Sequence, residues 1–146
     1  MAIAVFVARV GVGGLLLATG ALKVGHSPEL AAAIAGFRLV PAAVAGTMAV
    51  ALPWVELLLG LYLIAGLLTK AAAWFAAGQF LVYAGAIASA VIRHIPAYCG
   101  CFGPQDSATA DWPHVAFDLG MALIAACIAI NAPGALAVDR RFQKAS

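Results

Sequence analysis

Cys99 and Cys101 stand in the stretch AYCGCFGPQD with only Gly100 between them. Cysteines two apart can bring their Cα atoms within disulfide range, and glycine supplies the unusual backbone angles that so small a ring needs. A strained ring of this kind is labile, which suits thiol–disulfide exchange better than a structural clamp. Metal binding competes with that chemistry. His94, Cys99, Cys101 and His114 form a His-x4-Cys-x-Cys-x12-His series, and two thiolates with two imidazoles suit zinc or copper. The plainest alternative is a pair of ordinary loop thiols. Glu56, in LPWVELLLG, is a carboxyl in the middle of an apolar run, where charge is expensive and usually faces a partner or a functional interior. Lys23, Arg9, Trp54 and Tyr62 are its candidate partners. Asp118 lies about two turns inside the last apolar run and is expected either as an interfacial carboxylate or as a proton acceptor for a thiol. Cys127, in MALIAACIAIN, is expected to pack as a small apolar residue.

The elements that must position these groups are membrane helices. Hydrophobic residues make up 65% of the 146-residue chain and charged residues 10%, less than half the charged share of an ordinary soluble domain. Mean hydropathy is +1.04. A net charge of +2, without a basic run interleaved with aromatics, argues against a nucleic-acid partner. The expected class is an all-α integral membrane protein.

Four apolar runs are long enough to span a bilayer at 1.5 Å per residue: residues 2–22, 42–68, 71–92 and 113–132. Together they form one four-helix transmembrane domain over residues 1–146. No basic residue precedes the first run, so it is read as a retained helix and not a cleaved signal. Arg9 interrupts it near one end and is expected to snorkel toward head groups. Fifteen glycines and many alanines permit close helix approach, within one chain or between copies as a homo-oligomer. HSPELAAAIAGFRLVP predicts a short interfacial helix between the first two spans. Ser27 would cap it, Pro28 would open it, and Leu30, Ile34, Phe37 and Leu39 would form its apolar stripe. Pro53 is expected to kink the second span. A tight turn is expected at Thr69–Lys70.

Four spans put both termini on one side with Lys70, Arg140, Arg141 and Lys144. The modest basic bias favours a cytoplasmic side for these groups. The chain is therefore expected in the cytoplasmic (inner) membrane, with the cysteine loop extracytoplasmic, where disulfide chemistry is permitted.

GALKVGHSP, FRLVP, LPWVELLLGLYLIAG and above all CGCFG make the chain resemble the methylamine utilisation protein MauE family, within the MauE/DoxX group of four-helix membrane proteins. The resemblance implies a redox-associated membrane protein working with a thioredoxin-like partner or an exported thiol protein. It implies Cys99 and Cys101 as the redox pair and Glu56 and Lys23 as the characteristic polar positions. The bundle also looks like the thiol oxidoreductases DsbB and vitamin K epoxide reductase, which pass electrons to a quinone. That analogy implies a quinone beside Glu56, Lys23 and Trp54, with Glu56 and Asp118 joining the cysteines as catalytic candidates. Those enzymes use Cys-x-x-Cys and usually a second pair, whereas this chain has one Cys-x-Cys and one isolated cysteine. Two other functions stay open: copper or zinc handling through the pair with His94 or His114, and a non-catalytic accessory subunit for maturation of an exported redox enzyme.

Overall fold

The structure, a computed structural model, describes residues 2–99, 108–132 and 137–139. Among them are five helices and no strand: α1 (Ala2–Lys23), α2 (Ser27–Gly36), α3 (Ala42–Ala65), α4 (Thr69–Ile92) and α5 (Trp112–Asn131). All but α2 are long and apolar enough to cross a membrane. Their outward faces carry large apolar side chains such as Ile3, Leu61, Phe75, Leu123 and Ile130. Apolar surface on this scale must be covered, and lipid is what covers it in a multi-pass membrane protein. The short α2 lies between the first two spans, as the sequence predicts.

The bundle is built from two tight pairs. α1 packs chiefly on α3, and α4 chiefly on α5. Glycines set the first contact. A Cβ on Gly60 would fall 2.7 Å from the Gly13 carbonyl oxygen, and one on Gly13 would fall 2.9 Å from that of Gly60. The two backbones therefore touch where both lack side chains. Val12, Leu16, Leu59, Leu63 and Phe80 fill the centre with small residues of α4 and α5. A second cluster, with Phe37, Ile87, Cys99 and Val115, packs beneath the loop between α4 and α5. That loop is clasped at its base: the Cys99 N–H donates to the Ala108 carbonyl and the Ala110 N–H to the Ala97 carbonyl, both at 2.9 Å.

Several expectations are corrected. The turn between the second and third spans is at Gly66–Leu68, not Thr69–Lys70. Gly66 adopts φ +69° and its N–H donates to the Tyr62 carbonyl at 2.9 Å, an αL stop that glycine makes without steric cost. Thr69 then opens α4. The carboxylate of Asp139 caps this helix by accepting from the N–H groups of Leu68 and Thr69 at 2.8 Å each. Arg9 does not snorkel. It is fully buried, because it shares the inward face of α1 with Val12, Leu16 and Lys23. Its guanidinium lies 5.5 Å from the centre of the Phe6 ring, beside Gly66, within the field of Asp139. The cap position of α2 is His26, not Ser27, which is already helical, and no side chain closes that cap. Leu30 and Phe37 are buried as expected, but Leu39 is half exposed beyond the end of α2.

Candidate functional site

The functional end of the molecule is assembled from the last turn of α1, the middle of α3 and the middle of α4. A Cβ on Gly20 would lie 2.9 Å from the Pro53 carbonyl oxygen and 3.1 Å from the Glu56 Cβ. The absence of a side chain there lets α3 lie flush on α1 and sets Glu56 beside Lys23. The Lys23 Nζ donates to Glu56 Oε1 at 2.7 Å and to Oε2 at 3.1 Å, and both side chains are almost wholly buried. Two charges removed from water hold together only when the geometry is good and the remaining polar valences are met.

Two residues of α4 meet them. The Tyr83 hydroxyl donates to Glu56 Oε1 at 2.5 Å, and Gln79 Nε2 donates to the same oxygen at 3.1 Å and to the Tyr83 oxygen at 3.0 Å. The Lys23 ammonium also lies 5.3 Å from the centre of the Tyr83 ring, a cation–π distance. The sequence reading names Lys23 among the candidate partners of Glu56 but misses Gln79 and takes Tyr83 for a core or belt aromatic. The signal was present: Gln79 and Tyr83 are four apart in an otherwise apolar helix, so they share a face. Arg9 and Trp54 are not partners. Arg9 lies fourteen residues before Lys23 on α1, about 21 Å away at 1.5 Å per residue. Trp54 precedes Glu56 by two residues, about 200° around the helix at 3.6 residues per turn, and is 57% exposed on the outer surface.

A cavity of about 550 Å³ adjoins this network between α2, α3 and α4. Lys23, Gln79 and Tyr83 form its polar end, its walls are apolar, and Cys99 also lines it. Cys99 is 7% exposed, so this cysteine is not a solvent-facing loop thiol. Cys101 lies outside the described residues, and the geometry of the pair is therefore not described.

Asp118 is buried, at 4% exposure. Its Oδ2 has no hydrogen-bond partner among the described residues. It sits one turn below Val115, which packs in the same cluster as Cys99. Above it, Asp111 caps α5 as the sequence predicts: its Oδ1 accepts from the His114 N–H at 3.0 Å and lies 2.5 Å from the His114 Nδ1. These bonds from His114, backbone first, hold the Asp111 carboxyl below its ordinary range. His94 is exposed at the end of α4 with φ +52°. Among the described residues no three His, Cys, Asp or Glu side chains gather as a metal site; the four-residue set containing Cys101 extends beyond them. Cys127 is a free thiol on the outer face of α5, not a core residue.

The family model of the methylamine utilisation protein MauE matches residues 1–131. A curated relative, the methylamine utilization protein MauE of Paracoccus denitrificans, is 31% identical over 123 residues. That match covers 84% of this chain and 66% of the relative. No solved structure matches significantly. With its four membrane-spanning helices and the family pattern running from the first helix to the end of the last, this chain belongs to the MauE family.

Proposed function

We propose that the protein is a membrane thiol–disulfide oxidoreductase whose Cys99–Cys101 pair accepts electrons from a thioredoxin-like or exported dithiol protein. The observation that carries this is the position of Cys99, which lines the same cavity as the Lys23, Gln79 and Tyr83 end of the buried network. Of the two cysteines among the described residues, Cys127 is free and Cys99 is not. In the exchange, a partner thiolate attacks one sulfur of the Cys99–Cys101 disulfide, breaking that bond and forming an intermolecular one. The partner's second thiol then displaces it, leaving an oxidised partner and two thiols here. Two electrons and two protons have moved to the pair. In this reading Asp118, buried one turn along α5 from Val115 of the Cys99 cluster, takes the proton as a thiol becomes a thiolate. The relative's name associates that protein with methylamine utilisation; the thiol chemistry proposed for this chain does not depend on that pathway.

A membrane quinone suits the cavity, whose walls are apolar and whose polar end is formed by Lys23, Gln79 and Tyr83. When bound, it would supply the acceptor for the electrons and protons of the dithiol. In this reading both termini lie on the cytoplasmic side of the inner membrane and the cysteine loop outside, an orientation that the distribution of basic residues supports. The test is direct exchange. Purified oxidised protein mixed with reduced thioredoxin should oxidise it stoichiometrically while Cys99 and Cys101 become alkylatable by mass spectrometry. A pair that stays inert to both reduced and oxidised thioredoxin would refute the proposal.

A further inference from the structure

The polar end of the cavity keeps hydrogen-bonding capacity that the Lys23–Glu56 pair does not use. An ammonium has three N–H donors, and Lys23 directs two at Glu56. Gln79 Oε1 is buried with no hydrogen-bond partner among the described residues. Tyr83, whose hydroxyl proton faces Glu56, stands beside both. One uncommitted donor, one uncommitted acceptor and a proton-bearing hydroxyl therefore meet at the end of an apolar cavity. A group that alternates between carbonyl and hydroxyl suits them, with the hydroxyl state satisfying both the donor and the acceptor and the carbonyl state the donor alone. As a carbonyl it accepts from Lys23; as a hydroxyl it donates to Gln79 Oε1. A phospholipid acyl chain could fill the walls but would leave these polar groups unsatisfied, at a cost for each buried group.

The cavity is also open on its α3–α4 side. Val55 of α3 and Phe75 and Val82 of α4 line it and yet are 46%, 73% and 63% exposed. The opening thus lies between α3 and α4, the seam between the two tight helix pairs, on a surface that faces lipid. An occupant arriving there comes sideways out of the bilayer and must be lipid-soluble along most of its length.

We propose that the α3–α4 seam is a lateral entry for a lipid-soluble quinone, whose ring oxygen is held by Lys23 and, once reduced to a hydroxyl, also by Gln79, with Tyr83 and Glu56 as the adjoining pair that shares a proton. This rests on the thiol–quinone function above and adds the residues, the entry route and the exclusion of Trp54 from the contact. The probe is decylubiquinone, with an azido-quinone of similar chain length for photolabelling, on purified full-length protein in nanodiscs. A Cys99→Ser/Cys101→Ser variant separates the two proposals, because it abolishes thiol exchange while the Lys23 and Gln79 groups that hold the ring oxygen remain. Labelling should fall on the α3 and α4 peptides around Val55 and Val82. Gln79→Leu should weaken binding of the reduced probe, decylubiquinol, by roughly tenfold, the order of one lost buried hydrogen bond, and Tyr83→Phe, which takes a donor from Glu56 and draws the Lys23 N–H groups to that carboxylate, should weaken binding of both forms. Val82→Trp should obstruct the seam without touching the polar end, and Trp54→Phe should bind like the parent. Equal affinity in Tyr83→Phe, Gln79→Leu and the parent would overturn the assignment. So would labelling confined to other faces, or a signal that fades with added phospholipid irrespective of Tyr83, which would mark the cavity as an acyl-chain groove. Absence of quinone binding alongside intact thioredoxin exchange would remove this inference and leave the proposed exchange standing.

Discussion

Glu56 illustrates how a single residue in a membrane span declares itself. One carboxyl in the middle of a 24-residue apolar helix must be paired or protonated, and Lys23 is the cation that arrives. The asymmetry of this pair makes a prediction. Glu56→Gln leaves a buried ammonium with no counter-charge and should destabilise by about 3–5 kcal/mol. Lys23→Met should cost less, since the remaining carboxyl can take a proton and keep its bonds from Tyr83 and Gln79. The double substitution should recover most of the loss. Unfolding in mixed micelles reads all three, and a Lys23→Met variant less stable than Glu56→Gln would contradict this account. Asp111 gives a pH prediction. Its carboxyl is held below its ordinary value of about 3.9, so its cap on α5 is fully present above that value. The contribution is lost only as pH falls through the lower, folded value. Hydrogen exchange at the His114 amide, corrected for intrinsic rate, should be protected at pH 5 and lose protection only well below the ordinary carboxyl value of about 3.9. An Asp111→Ala variant should lack that acid step.

At the scale of elements, the decisive contacts are between backbones. Gly20 against the Pro53 carbonyl and Gly60 against the Gly13 carbonyl leave no room for a methyl group. Gly20→Ala and Gly60→Ala should therefore each cost about 1–3 kcal/mol as overpacking. Only Gly20→Ala should also disturb the site, because it pushes Glu56 away from Lys23. Gly85, with nothing within 4 Å of where its Cβ would stand, should accept alanine without loss and serves as the control. Thermal unfolding combined with quinone binding distinguishes these effects. The elements were largely legible in the sequence, since hydropathy alone delimits four spans and Pro28 and Pro41 bracket α2. Their partners were less so. Trp54 looks like a companion of Glu56 in sequence, but helical geometry puts it on the opposite face. Asp139 lies seventy residues from the N–H of Thr69 that it caps, and no local pattern announces a cap supplied from that distance. The burial of Cys99 was equally hidden, because Pro and Gly mark a loop but not what the loop folds back upon.

At the scale of the whole molecule, α1 with α3 and α4 with α5 form two closely packed pairs, and their seam carries the cavity. Gly66 and Asp139 join the pairs at one end, while Lys23, α2 and Cys99 lie toward the other. The proposed chemistry requires the latter end to face an oxidising compartment, because a disulfide maintained in the cytosol would be reduced by the thiol pools there. The charges that set orientation are few, and one of them is hidden: Lys23 is consumed by Glu56 and cannot act as a surface anchor. This strengthens the bias, leaving Arg38 and Arg93 against Lys70, Arg140, Arg141 and Lys144. Single-cysteine reporters in a Cys99→Ser/Cys101→Ser/Cys127→Ala background read the result. His94 and Lys70 are both exposed and stand at opposite ends of α4. A maleimide that cannot cross membranes should label His94→Cys in intact spheroplasts and Lys70→Cys only after lysis. The reverse pattern would put the pair in a reducing compartment and defeat the exchange function, whereas the described helices and the buried Lys23–Glu56 pair would stand unaltered.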